Sequence, residues 1–212
     1  MRKPRRKKIK ARPNFALVVD GDTEVWYFQM LKRNERTLTV NIEPKIPQKK
    51  SVLEQFKLVK SLSEDYKTVF WIIDFDTIIK ETREAKKGNE SPLQVFLKYY
   101  KIIKKEHNNI TIIVNNPCLE FWILLHFERT SKYFNNCASA EKQLKKHLKD
   151  YEKTRKYYTR QGNDIYLKLK PNLKTAVRNS GLLGSFKEDD YEKAVCEMNL
   201  FYNDNGFNKH FE

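Results

Sequence analysis

The chain has 212 residues, 40% of them hydrophobic and 13% aromatic, with only 6 Gly and 7 Pro. That composition excludes global disorder and collagen-like or low-complexity architecture, and it suits one domain with a sizeable core. Lys and Arg number 42 against 27 Asp and Glu, a net charge of +15, which favours a polyanionic partner such as nucleic acid.

Residues 1–13 hold eight Lys/Arg and no acid, so they read as a basic tail outside the fold. Its Arg5, Arg6, Lys7 and Lys8 are candidate phosphate contacts, and a solubilising tail is the plainer reading. Phe15 to Val19 is a short apolar run ended by Asp20-Gly21-Asp22, the pattern of a buried parallel strand. Thr23 is placed to cap a helix from Glu24 to Arg33. Residues 38–46 alternate as a second strand. Ser51 caps a helix reaching Asp65. Val69 to Ile73 is a second buried strand, followed by Asp74-Phe75-Asp76. Residues 80–90 are charged and contain Gly88-Asn89, which predicts a loop. A helix over 92–106 comes next, then a strand over 110–114. Asn116 and Pro117 predict the cap and first position of a helix to Phe127. Residues 137–205 carry no convincing strand and read as helices over 138–157, 164–179 and 188–204.

Alternating strands and helices over residues 14–130 predict an α/β domain with a mostly parallel sheet flanked by helices. Residues 131–212 predict a helical portion of the same domain packed on that sheet. No apolar run approaches the roughly 20 residues that cross a bilayer, and the basic start is not followed by the apolar stretch of a secretion signal. The three cysteines, Cys118, Cys137 and Cys196, form no CxxC and cannot all pair. They predict neither a disulfide framework nor a four-ligand zinc cluster, and they suit a reducing, cytoplasmic setting.

In open α/β sheets, ligands bind outside the carboxyl ends of the strands. Asp20 follows the first strand and Glu24 lies in the first turn of the next helix. Asp74 and Asp76 follow the third strand, placed on one side of the chain by their two-residue spacing. Glu120 lies in the first turn of the helix after the fourth strand. Carboxylates gathered this way repel and need a cation or protons to coexist. Hard oxygen donors suit Mg²⁺ or Mn²⁺, ions that activate water and stabilise the leaving oxygen in phosphodiester cleavage. The plainer reading of any one of these residues is a turn former or helix cap. An Asp-x-Asp straight after five apolar residues resists it, because charge near the core is costly without a purpose.

At these residues the sequence resembles the Toprim domain of topoisomerases, primases and OLD-family nucleases. Val18-Val19-Asp20-Gly21-Asp22-Thr23-Glu24 is similar to its Glu-Gly-x-Thr-Glu form, and Ile72-Ile73-Asp74-Phe75-Asp76 to its Asp-x-Asp motif. The stretch from Asn116 to Phe127, Asn-Pro-Cys-Leu-Glu-Phe-Trp-Ile-Leu-Leu-His-Phe, resembles the signature of the RloB-like family, found near restriction and abortive-infection loci. The resemblance implies a Toprim-like fold, Mg²⁺-dependent phosphodiester hydrolysis and a role in phage defence beside an ATPase partner from the same locus. It implies Glu24, Asp74 and Asp76 as metal ligands, with Glu120 a further acidic site residue. Asp20 stands where Toprim enzymes carry a Glu that moves a proton. Being one methylene shorter, it leaves room for metal binding there and for a chain that does not cleave.

Three readings follow. The first is a Mg²⁺-dependent nuclease with Asp20, Glu24, Asp74, Asp76 and Glu120 in its site. The second is a non-catalytic Toprim-fold component that binds nucleic acid or an effector. The third, ranked last, is a phosphotransferase resembling the haloacid dehalogenases, with Asp74 as nucleophile and Asp76 as acid/base. Lys145, Lys149, Lys153 and Arg155 lie in a basic stretch with Tyr151, Tyr157 and Tyr158. This stretch reads either as a nucleic-acid contact with stacking tyrosines or as a solvated face with tyrosines turned inward. Cys118 reads as a small packing residue before a nucleophile, and His126 as a hydrogen-bonded core histidine before a base. The helical second half leaves room for a homodimer contact.

Overall fold

A computed structural model describes residues 15–36, the backbone of 40–43, and residues 50–86 and 90–204. The basic tail with Arg5, Arg6, Lys7 and Lys8 lies outside them. The elements in order are β1 (Phe15–Val18), α1 (Asp22–Asn34), β2 (Val40–Glu43), α2 (Val52–Asp65), β3 (Thr68–Asp74), α3 (Phe75–Glu84), α4 (Pro92–Glu106) and β4 (Ile110–Asn116). After them come α5 (Leu119–Leu124), α6 (Cys137–Leu144), α7 (Arg155–Tyr158), α8 (Ile165–Leu169), α9 (Leu173–Gly181), β5 (Val195–Cys196) and α10 (Met198–Tyr202).

The described strands form one sheet in the order β2-β1-β3-β4-β5. The first four are parallel, and β5 joins β4 antiparallel through two residue pairs. Strand alternation sorts the core into two layers. Leu17, Phe70, Ile72 and Ile113 face α1 and the helices from α5 onward, while Val18, Trp71, Ile73 and Val114 face α2, α3 and α4. The architecture is α/β with a mostly parallel sheet covered on both faces, as a Toprim-like fold requires. The helical second half packs on one face of the sheet.

β1 connects outward to β2, and the chain then crosses back over β1 to β3. Strand order therefore reverses between β1 and β3, which makes their carboxyl ends the topological switch point. Asp20 and Asp74 sit there, so the site lies where the topology opens a crevice.

Several expectations from the sequence are corrected. Thr23 does not cap α1, which starts two residues earlier, at Asp22, with Gly21 in the cap position. Residues 80–84 are helical, because α3 runs to Glu84 before the chain turns. Asn116 and Pro117 do not start α5. Asn116 still pairs with Val195 in the sheet, and its Nδ2 donates to the carbonyls of Tyr191 and Lys193, so the cap falls to Cys118. The long helices expected beyond residue 137 are short segments. Tyr151 is drawn into the core between α6 and α7, Gly162 and Gly184 turn the chain at positive φ, and Val195–Cys196 is a strand.

Candidate active site

Gly21 lets the first turn of α1 fold against itself. A Cβ at that position would stand 2.5 Å from Glu24 Oε2, so a side chain there would displace the carboxylate. Glu24 is buried, and Thr23 Oγ1 donates to its Oε2 at 3.2 Å. Asp74 occupies the cap position of α3 without capping it, which removes the plainer reading of that residue. The Glu24 and Asp74 carboxyl groups lie close enough for the charge of Glu24 to act on Asp74. Glu24 Oε1 and Asp74 Oδ1 are buried with no partner. Burial and the crowding of like charges favour the protonated form of both groups. Burial first, and Glu120 next, push Glu24 from 4.5 to about 7. Burial, Glu24 and Glu120 push Asp74 well above the carboxylate range.

Asp76 is the second residue of α3. It owes its place to the strand-to-helix turn and not to strand alternation, although it lines the same cavity as Asp74. Its Oδ2 accepts from the Cys137 backbone N–H at 2.8 Å, and burial raises its pKa. Lys80 and Arg83 follow Asp76 by four and seven residues, so they share its helix face. With Lys153 they line a cavity of about 700 Å³ beside Asp74 and Asp76. Sequence reasoning missed Lys80 and Arg83 because it placed no helix after Asp76 and a loop over residues 80–90. The signal was the i, i+4, i+7 spacing from Asp76.

Glu120 is fully buried, and one of its oxygens carries its polar partners. Its Oε1 accepts from Tyr151 Oη at 2.7 Å and pairs with Lys153 Nζ at 3.0 Å. Tyr151 in turn shares a hydrogen bond with Tyr158 at 2.6 Å. Burial disfavours the Lys153 charge, yet Glu120, Asp74 and Glu141 outweigh it and hold the ammonium above its ordinary range. Tyr151 and Tyr158 are therefore core residues that serve Glu120, and they offer no stacking surface. Of the basic candidates, Lys149 and Arg155 are exposed, Lys145 pairs with Glu141, and Lys153 belongs to the acidic site.

Asp20 stands at the edge of the group. Gln55 Nε2 donates to its Oδ1 at 2.7 Å, and Gln55 Oε1 accepts from Trp71 Nε1 at 2.8 Å. Asp20 lines a neighbouring recess with Lys50 and Thr77, while its charge still reaches Glu24. The structure thus brings Glu24, Asp74, Asp76 and Glu120 together and sets Asp20 beside them. Asn115 pairs with Asp74 in the sheet register and is buried with both side-chain polar atoms unpartnered. The sequence marked it only as a strand end.

The cysteine expectation is overturned in part. Cys118 and Cys137 are joined by a disulfide, because the starts of α5 and α6 meet beside Glu120. Sequence spacing gives no sign of a pairing made by tertiary packing. His126 is a core histidine, as read from the sequence, with Nδ1 on the Trp122 carbonyl at 3.0 Å.

A family model described as RloB-like protein matches residues 15–203. The chain belongs to the RloB-like protein family. No curated protein and no solved structure matches it. The RloB-like match takes in both acidic motifs, the Asn116–Phe127 stretch and the segment that supplies Cys137, Tyr151 and Lys153. No helix among the described residues is long and apolar enough to cross a membrane.

The donor set of this RloB-like site fits a hard divalent cation. Two buried carboxylate oxygens lack partners, Asp76 lines the cavity beside Asp74, and the missing Cβ of Gly21 leaves room for the Glu24 carboxylate. An oxygen-only set of this kind suits Mg²⁺ or Mn²⁺.

Proposed function

We propose that this RloB-like chain is a Mg²⁺-dependent nuclease that hydrolyses phosphodiester bonds of nucleic acid in bacterial phage defence. The observation that carries the reading is the pair of unpartnered buried oxygens, Glu24 Oε1 and Asp74 Oδ1, at the sheet's switch point in a chain of net charge +15.

Glu24, Asp74 and Asp76 would hold the ion, with Asp20 at its edge. A Mg²⁺ ion held there would neutralise the crowded carboxylates and supply Lewis acidity toward a phosphoryl oxygen and water. Lys80 and Arg83, on the Asp76 face of α3, draw a phosphate into the cavity and fix it there. Glu120 holds Lys153 over the same cavity, so a third positive charge faces the developing negative charge of the phosphorane. Gln55 fixes Asp20, which we assign to accepting the proton of the attacking water. The defence role and an ATPase partner from the same locus rest on the family resemblance. Exposed Lys149 and Arg155 are assigned to backbone phosphates.

The test is cleavage of plasmid, linear and single-stranded DNA and of RNA with Mg²⁺ or Mn²⁺, comparing the wild type with Asp74→Asn/Asp76→Asn. The expected result is metal-dependent cutting reduced at least a hundredfold in the double variant. Nucleic-acid binding without cutting under every metal condition would favour the second reading, a non-catalytic binding component, for which Asp20 in place of Glu is the supporting feature.

A further inference from the structure

Beside the oxygen-rich pair lies a second donor set of different chemistry. Glu120 Oε2 is 3.0 Å from Cys118 Sγ and 2.7 Å from Cys137 Sγ, and the three atoms converge on one point beside the cavity. Cys118 and Glu120 are buried, and Cys137 is half-buried at the cavity wall. The Lys153 ammonium touches two members of the set, at 3.0 Å from Glu120 Oε1 and 3.1 Å from Cys137 Sγ. A disulfide sulfur has no proton to give a carboxylate, so in the oxidised form the oxygen gains no hydrogen bond from either sulfur. In the reduced form each thiol has one proton to donate to it. A soft cation replaces both protons and satisfies all three donors at once.

We propose that reduction of the Cys118–Cys137 disulfide opens a zinc-class metal site formed by Cys118, Glu120 and Cys137, distinct from the Mg²⁺ site and independent of the nuclease reading. A dithiol reductant passes two electrons and two protons to the disulfide, giving two thiols and its own cyclic disulfide. Binding of Zn²⁺ then releases the two thiol protons as the Sγ–metal bonds form. Thiolates select Zn²⁺ over Mg²⁺, so the two ions do not compete for one donor set. The geometry allows it. Zn–S bonds of about 2.3 Å at tetrahedral angles place two sulfurs about 3.8 Å apart. The Cα atoms are 5.6 Å apart, and rotation about the two Cα–Cβ bonds supplies the opening. Two thiolates and a carboxylate leave the bound ion with one excess negative charge, which Lys153 balances. The fourth position faces the cavity, where a water completes the coordination.

The probe is Co²⁺ titrated into the metal-free full chain after reduction, followed by its near-ultraviolet thiolate-to-cobalt band. The expected result is one Co²⁺ per chain with that band, bleached by Zn²⁺ and absent from the oxidised protein until a dithiol is added. The band is lost in Cys137→Ser and in Cys118→Ser, kept in Cys196→Ser, and shifted at least tenfold to weaker binding in Glu120→Gln. Glu24→Gln, which disturbs the oxygen site, leaves it in place, so failure of the nuclease reading and failure of this one are told apart. Cys137, at the cavity wall, is the variant that keeps the test sound if replacing buried Cys118 unfolds the chain. A reduced protein with native circular dichroism and three titratable thiols that shows no thiolate band overturns the proposal.

Discussion

Replacing Glu24 by Gln should stabilise the metal-free protein at alkaline pH. Gln keeps the shape of the side chain, cannot ionise, and offers an amide N–H beside Asp74 where two carboxyl groups now crowd each other. Glu24 rises from 4.5 to about 7, first because burial strips its water and then because Glu120 repels it. At 1.36 kcal/mol for each factor of ten in acidity, holding that charge in the fold costs about 3 kcal/mol once the group is ionised. The folded pKa lies above the unfolded one. The stability tied to Glu24 is therefore fully present below pH 4.5 and is lost as the pH climbs through 7. For a domain of this size, about 3 kcal/mol corresponds to roughly 6–12 °C in Tm. Calorimetry of metal-free wild type and Glu24→Gln at pH 8 should show the variant melting higher by that amount, with the gap closing toward pH 4. Millimolar Mg²⁺ should raise the wild-type Tm at pH 8 and leave the variant unmoved, since an ion that binds only the folded state adds stability through that site alone. A variant that melts at or below the wild type at pH 8 without metal would refute the claim that Glu24 is held against electrostatic strain.

Two further outcomes follow from the same geometry. Burial pushes His126 from 6.5 down to about 4. A depressed histidine keeps its stability above pH 6.5 and loses it as the pH falls through 4, by about 3 kcal/mol. Urea unfolding at pH 7 and pH 4.5 should show His126→Asn losing less stability between the two than the wild type does, the comparison cancelling the opposite trend of Glu24. Gly21→Ala should leave the fold intact, because Gly21 sits at φ −126° and ψ 171°, which Ala adopts freely. Its Cβ should push Glu24 aside and weaken Mn²⁺ affinity at least tenfold, as read by paramagnetic relaxation of bulk water.

The parallel strands and the acidic edge were legible because apolar runs ended by Asp or Asn mark parallel strands, and the carboxyl-edge rule then places the residues that follow, while the strand order was not. The stripe of Asp76, Lys80 and Arg83 was hidden because charge density and Gly88-Asn89 drew the loop too early, although α3 continues to Glu84. The second half misled in the other direction. Its helical spacing is real over short stretches, but the chain breaks so that Tyr151 reaches Glu120 across 31 positions. Lys153 was read as a phosphate contact from its basic neighbours, and no local pattern reveals that its first partner is a buried glutamate. The Cys118–Cys137 pairing escaped for the same reason, since neither spacing nor composition encodes which helix starts meet.

The site separates its carboxylates by what balances them. Glu120 has a cation of the chain's own, Lys153, and a tyrosine hydroxyl on the same oxygen. Glu24 and Asp74 make no ion pair within the described residues, and each keeps a buried oxygen with nothing to accept from. The difference that remains is the cation, and a purely structural acidic cluster has no reason to give one to Glu120 and none to the pair. Burying a carboxylate without a cation costs several kcal/mol, and a Lys within reach of Glu120 shows that the local packing has room for one. The unbalanced pair is also the one at the switch point, where a crevice opens to solvent, and the one whose place depends on a missing Cβ at Gly21. On the function proposed above, the cost carried by Glu24 and Asp74 is the free energy that a hard divalent ion would recover there, whereas the Glu120 oxygen beside Lys153 already has its cation.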